Sequence, residues 1–181
     1  MIRAAEERRT TMKAKKQVKM ICVTGILIAI EIVLANYLQI HTWDMKLGFG
    51  FVPVVAAAIL YGPFVAGAVG AIGDVVSAFL FPVGQYFPGF TITAFLTGAV
   101  FGAFLYKKES VLNVFLSVFI TQALISQFVN TYFISALYGS PYWPLFVTRL
   151  MQTGIMIAVE IVLVLLMSKK LIPVLKKQAK L

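Results

Sequence analysis

A chain of 181 residues that is 60% hydrophobic and 13% charged, with a mean hydropathy of +0.91, lacks the polar surface that a water-soluble domain of this length needs. Its net charge of +9 invites a nucleic-acid partner, but the basic residues sit at the two ends and in one short loop rather than along a face, which excludes that reading. One cysteine, Cys22, and one histidine, His41, exclude an intramolecular disulfide, a cysteine-bound metal and a histidine-rich metal site, so no metal or cofactor is expected.

In chain order, residues 1–17 form a basic segment without the short apolar core and cleavage site of a signal peptide. A helix crossing the ~30 Å hydrocarbon core needs about 20 residues. Apolar runs at 18–36, 47–61, 64–81, 90–105, 111–137 and 145–168 therefore predict an all-α membrane protein of six transmembrane helices in one domain, 18–170, followed by a basic tail, 171–181. The run from Leu47 to Phe81 is too long for one span, and Gly62-Pro63 supplies the break. The second and fourth spans are short enough to be tilted or re-entrant.

Arg3, Arg8, Arg9, Lys13, Lys15, Lys16 and Lys19 precede the first span. Lys107 and Lys108 separate spans four and five, and Lys169, Lys170, Lys176, Lys177 and Lys180 follow the sixth. Six spans put these three regions on one side, which the positive-inside rule makes cytoplasmic, both termini included. Only Lys46 and Arg149 fall on the outer side. The outer loops, HTWDMK, FPVGQYFPG and YGSPYWP, are aromatic instead. Their Trp43, Tyr86, Tyr142 and Trp143 suit interfacial anchors as well as cavity walls.

Ionisable residues inside a span are costly and face the bundle interior or a wet cavity. Here they are Glu31, Asp74, Arg149 and Glu160. In span five Gln122, Ser126 and Asn130 recur every four residues as one stripe, widened by Gln127 and Thr131. In span six Arg149, Gln152 and Thr153 share a face. Thr91 and Thr93 open span four just after Tyr86, Phe87 and Pro88. Buried amides and hydroxyls also join helices, and Asp74 can pair with Arg149. Their concentration in the outer half nevertheless points to a cavity opening outward. A guanidinium at its mouth suits an anionic solute and an acid further in suits paired N–H donors. The roles of Glu31 and Glu160 stay open; Glu160 lies three turns below Arg149 on nearly the same face, a position that suits either the cavity floor or an internal salt bridge.

Small residues, Gly25 and Ala29 in span one and Ala66, Gly67, Gly70, Ala71 and Gly73 in span three, let helices approach closely, within the bundle or on a partner. The chain has no GxxxxGK[ST] phosphate loop and no nucleophile–base–orienter set. It reads as a binding subunit, not an enzyme, that needs another subunit to do work.

The six short spans, the basic amino end and the stretch GAIGD…FPVGQYFPGFTITAFLTG within Gly70–Gly98 resemble the substrate-binding S components of energy-coupling factor (ECF) transporters. With GFGFVP at 48–53 and Ser140-Pro141-Tyr142-Trp143, the similarity is greatest to the folate-specific members. The resemblance implies a bacterial plasma-membrane protein that captures a vitamin, folate, from outside. It also implies docking on a transmembrane coupling subunit that carries two cytoplasmic ATPases, through the small pair that corresponds here to Gly25 and Ala29. Under it, Arg149 with Lys46 faces the glutamate tail. Asp74, or the amides of Gln127 and Asn130, faces the pterin, and Tyr86, Phe87 or Trp143 stacks on it, with the reverse direction also open; Thr91 and Gln152 belong to the same binding set. The alternatives are an S component for riboflavin or thiamine, a quinone-binding anchor of a redox complex, and a small oligomeric channel lined by Asp74.

Overall fold

The structure, a computed structural model, describes residues 2–42, 45–82, 85–107 and 110–171, with the backbone alone for 2–10, 39–47 and 170–171. Trp43, the basic tail from residue 172 onward and the side chain of Lys46 lie outside the described residues.

Helix α1 (Ile2–Tyr37) has no proline to interrupt it, so the basic amino-terminal segment runs directly into the first apolar stretch. The chain then reverses through an antiparallel hairpin, β1 (Gln39–Thr42) and β2 (Met45–Gly48), with Ile40 opposite Leu47 and His41 opposite Lys46. Among the described residues the fold is helical apart from this hairpin, which stands where a loop was expected. Helices α2 (Phe51–Tyr61), α3 (Pro63–Leu80), α4 (Pro88–Leu105), α5 (Val111–Tyr138) and α6 (Tyr142–Leu166) follow.

The second of the six apolar segments, expected to be short enough to tilt or re-enter, is α2. Five of the described helices are long and apolar enough to cross a membrane, whereas α2 has 11 residues. At 1.5 Å per residue it rises roughly 16 Å, about half of the hydrocarbon core. Its first residues are lost to the hairpin. Its last turn ends at Gly62, whose φ of +89° an L side chain rarely adopts, and Pro63 then opens α3. A helix that is apolar on every side belongs inside the protein, and all residues from Pro53 to Ile59 are buried.

The small residues of α3 serve packing within the bundle. A Cβ on Gly70 would lie 2.8 Å from the carbonyl oxygen of Ala94, and one on Gly98 would overlap the carbonyl of Ala66. Helices α3 and α4 thus meet backbone to backbone, an approach that only glycine permits. Gly25 differs: nothing lies within 4 Å of a Cβ placed there, and both Gly25 and Ala29 are exposed.

The bundle divides into two halves along its length. Val55, Ile59, Phe101, Leu105, Val114, Val118 and Val164 form a dry core at the end where α2 and α4 finish and α5 begins. The other half, toward the hairpin, is hollow. There α5 changes pitch: Val111–Phe119 is α-helical, Ile120–Asn130 is π-helical and Thr131–Tyr138 is α-helical again. Turns of the i→i+5 kind are rare and recur at functional sites, and this segment carries the polar stripe of α5.

Candidate functional site

The hollow half encloses a cavity of about 810 Å³, within the range of small-molecule sites. The chain's alternating direction explains its make-up. The late turns of α1, α3 and α5 and the early turns of α2, α4 and α6 reach the same end of the bundle. Polar residues in those turns converge even though they are far apart in sequence.

Helix α1 contributes Glu31 and Asn36. Glu31 is 8% exposed, and its Oε2 has no hydrogen-bond partner. A Cβ on Gly73 would overlap this carboxyl group, and one on Gly50 would stand 3.3 Å from its Oε1. The two glycines make the space the acid occupies. Asn36 donates through Nδ2 to Ser77 Oγ at 2.9 Å and to the Ile32 carbonyl at 2.7 Å, which ties α1 to α3.

On α3, Asp74 lines the cavity. Thr91 Oγ1 donates to Asp74 Oδ2 at 2.6 Å and lies 3.1 Å from the Tyr86 hydroxyl. With its one proton given to the carboxylate, Thr91 accepts from Tyr86. Thr91 therefore orients the acid and does not itself line the cavity. Tyr86 and Phe87 do line it. Phe87 is fixed edge-to-face against Phe90 at 5.9 Å and Phe133 at 5.2 Å between ring centroids, a favoured aromatic geometry.

The α5 stripe of Gln122, Ser126 and Asn130 faces the cavity as its spacing suggested. Asn130 Oδ1 accepts from Thr93 Oγ1 at 2.8 Å. Gln127 is a correction. It is 2% exposed; its Nε2 donates to the Phe146 carbonyl at 2.7 Å and its Oε1 accepts from Thr153 Oγ1 at 2.6 Å. Both ends of its amide are used to join α5 to α6, so it turns away from the hollow.

Helix α6 presents Arg149, Gln152, Thr153, Met156 and Glu160 to the cavity. Gln122 Nε2 donates to Glu160 Oε1 at 2.5 Å. Trp143 is the second correction. It is 72% exposed and packs on Tyr142 at 5.9 Å and Phe146 at 6.1 Å, which suits the interfacial-anchor alternative and leaves it outside the lining. The lining residues Ser77, Gln85 and Thr97 carried no sequence signal of their own. Single hydroxyls and amides near helix ends are too common to stand out.

The description "ECF-type riboflavin transporter, S component" matches residues 15–173. The folate transporter FolT of Clostridium novyi is 39% identical over 150 residues, 82% of this chain and 87% of that protein. The folate transporter FolT of Leuconostoc mesenteroides subsp. mesenteroides is 26% identical over 160 residues, 84% of this chain and 86% of that one. A crystal structure of FolT bound with folic acid superimposes with a TM-score of 0.79 at 34% identity, covering 84% of this chain and 93% of its own.

The placement of Gln127 has a testable consequence. Gln127→Leu should lower the stability in detergent by about 1 kcal/mol, the scale of hydrogen bonds between membrane helices. Ser126→Leu, one residue away but in the cavity, should leave the unfolding transition nearly unmoved. Thermal unfolding of the two variants with the opposite ranking would contradict the assignment.

Proposed function

We propose that this chain, which belongs to the ECF-type riboflavin transporter S-component family, is the folate-capturing subunit of an ATP-driven importer. The observation that carries the reading is the cavity: one volume holds the Arg149 guanidinium, the carboxyl groups of Asp74, Glu31 and Glu160, and the flat faces of Tyr86 and Phe87. Folate has matching parts. Its glutamate tail carries carboxylates, its linker is aromatic, and its pterin offers N–H donors. Arg149, joined by Lys46 of strand β2, whose backbone packs on α6, takes the tail by charge-assisted hydrogen bonds. Asp74, Asn130 and Gln152 offer polar contacts to the rest, and Tyr86 and Phe87 offer stacking surfaces.

The family description mentions riboflavin, while the 39% and 34% identical relatives are named for folate or hold folic acid. Riboflavin has no carboxylate for Arg149 to grip, so the side chains in the cavity favour folate.

The basic residues assign the termini and Lys107 to the cytoplasm, which opens the cavity outward. The relatives' bacterial sources support a bacterial plasma membrane. The chain captures substrate and supplies no ATPase chemistry. That work falls to two cytoplasmic ATPase subunits, reached through a transmembrane coupling subunit. Gly25 and Ala29, exposed on α1, offer the coupling subunit a face on which another helix can approach closely.

Calorimetric titration of the detergent-purified chain with folate, riboflavin and thiamine tests the substrate. Folate should saturate one site at nanomolar concentration with the other two silent, and Arg149→Ala should weaken it roughly 10- to 100-fold. A preference for riboflavin would overturn the assignment. The docking role is tested separately in cells that contain the coupling and ATPase subunits. Gly25→Leu should abolish folate uptake while folate affinity stays within twofold, and undiminished uptake would sink that role.

A further inference from the structure

A second hollow lies on the outside of the bundle, around the dry half. Pro63 and Phe64 at the start of α3, with Phe95 and Ala99 of α4, line a wholly apolar groove of about 200 Å³. Phe64 is 81% exposed, so the groove opens toward lipid. Glycine shapes it: a Cβ on Gly67 would stand 2.7 Å from Cε2 of Phe95, so only a residue without one lets that ring lie against α3. Gly102 of α4 meets Pro63 backbone to backbone. The groove therefore starts at the α2–α3 break, and Phe95 lies roughly 10 Å further into the membrane along α4.

A cation is held beside its mouth. Helix α4 ends at Leu105, and the Tyr106 N–H closes it by donating to the Gly102 carbonyl at 3.0 Å. A Cβ on Gly62 would touch the Tyr106 ring at 3.5 Å. The ring thus lies over the α2–α3 break, next to Pro63. Lys107 then enters the left-handed region with a φ of +66°, which no other non-glycine among the described residues does. A lysine adopts that conformation at a cost. Its Nζ stands 5.2 Å from the centroid of the Tyr106 ring, within reach of a cation–π attraction. Lys107 is exposed, yet its ammonium is kept against the aromatic face at the groove rather than reaching away from it.

A smooth apolar face would accept any lipid tail. A concave apolar seat with a fixed cation at its rim suits an amphiphile that has an apolar chain and an anionic head. The basic residues assign this end of the bundle to the cytoplasm. That leaflet supplies anionic lipids, whose headgroups suit basic sites at the ends of packed helices. A helix of another subunit would fill the groove as well, but its apolar side chains would give the ammonium nothing to bind.

We propose that the groove between α3 and α4, with Lys107 at its mouth, is a seat for one anionic phospholipid, an acyl chain lying on Phe64, Phe95 and Ala99 and the phosphate meeting the Lys107 ammonium. The lipid anchors this end of the α3–α4 pair at the cytoplasmic surface. The seat is separate from the cavity, so it stands whichever vitamin the cavity holds.

The test is native mass spectrometry of the detergent-purified chain with equal amounts of phosphatidylglycerol and phosphatidylcholine that carry the same acyl chains. The wild-type chain should retain phosphatidylglycerol over phosphatidylcholine roughly fivefold. Lys107→Gln should bring the ratio close to one. Lys169→Gln, which removes the same charge from an exposed position just past α6, should leave it unchanged. Ala99→Phe fills the groove and should lower bound phosphatidylglycerol roughly fivefold; if that variant is not monodisperse, Ala99→Leu is judged by the same criterion. Glycerophosphoglycerol, the headgroup without chains, should not displace the lipid. Equal retention of the two lipids by wild type overturns the proposal, as does a preference that survives Lys107→Gln. An equal loss in Lys169→Gln overturns it by showing attraction to net charge alone. Undiminished lipid on the groove-filling variant, or displacement by the free headgroup, overturns it by showing a phosphate site without a chain seat. A lipid-free dimer gives the groove to a second copy and overturns it too.

Discussion

The cost of keeping carboxyl groups inside a hydrocarbon-clad bundle is the constraint on which the rest of the structure depends. Glu31, Asp74 and Glu160 all face one cavity, and each is accommodated by a specific neighbour. Gly73 and Gly50 leave room for Glu31, Thr91 donates to Asp74, and Gln122 donates to Glu160. The neighbours meet only part of the acids' hydrogen-bonding capacity, since Glu31 Oε2 and Glu160 Oε2 have no partner. A bundle optimised for stability alone would not retain them. One that must bind a polar solute needs groups held ready, with their neighbours already fixed.

Two structural decisions make the cavity possible. The first is the short α2, which fills the dry half with apolar side chains and adds little bulk to the other half. The second is the direct backbone contact of α3 with α4, made through Gly70 and Gly98. It forms a firm wall on which Asp74 and its donor Thr91 meet from two helices. The π-helical stretch of α5 packs beside α4 and carries Gln122, Ser126 and Asn130 to the cavity. Binding capacity and rigidity thus come from opposite halves of one bundle, joined by helices that run through both.

Much of this was legible in the sequence because a charge inside an apolar run stands out. Asp74 and Arg149 were identified as cavity residues from that contrast alone, and the α5 stripe from its spacing. The misassignments share a physical origin. Gln127 neighbours Ser126, and a polar stripe does not show where its edge lies. That edge is set by what α6 offers across the interface, a carbonyl and a hydroxyl that satisfy both ends of one amide. Trp143 fitted an anchor and a stacking wall equally well until its exposure was known. Helix α2 shows in its sequence that it is short, but apolar length alone does not separate a crossing helix from a buried one. Glu31 and Glu160 stand out as intramembrane acids, and the spacing of Glu160 from Arg149 already suits a place on the cavity floor or a salt bridge; that both acids reach the same space is set by the bundle.

The central claim is that the buried acids are kept for the ligand and not for the fold. It is tested most directly by the unfolding temperature of the Glu31→Gln/Glu160→Gln double variant in detergent, compared with wild type with and without saturating folate. The account predicts that the ligand-free variant unfolds at a higher temperature than ligand-free wild type, and that folate raises the variant's transition by less than it raises the wild type's. A variant that unfolds at a lower temperature, yet is stabilised by folate as strongly as wild type, would show that the acids serve the fold and contradict the account.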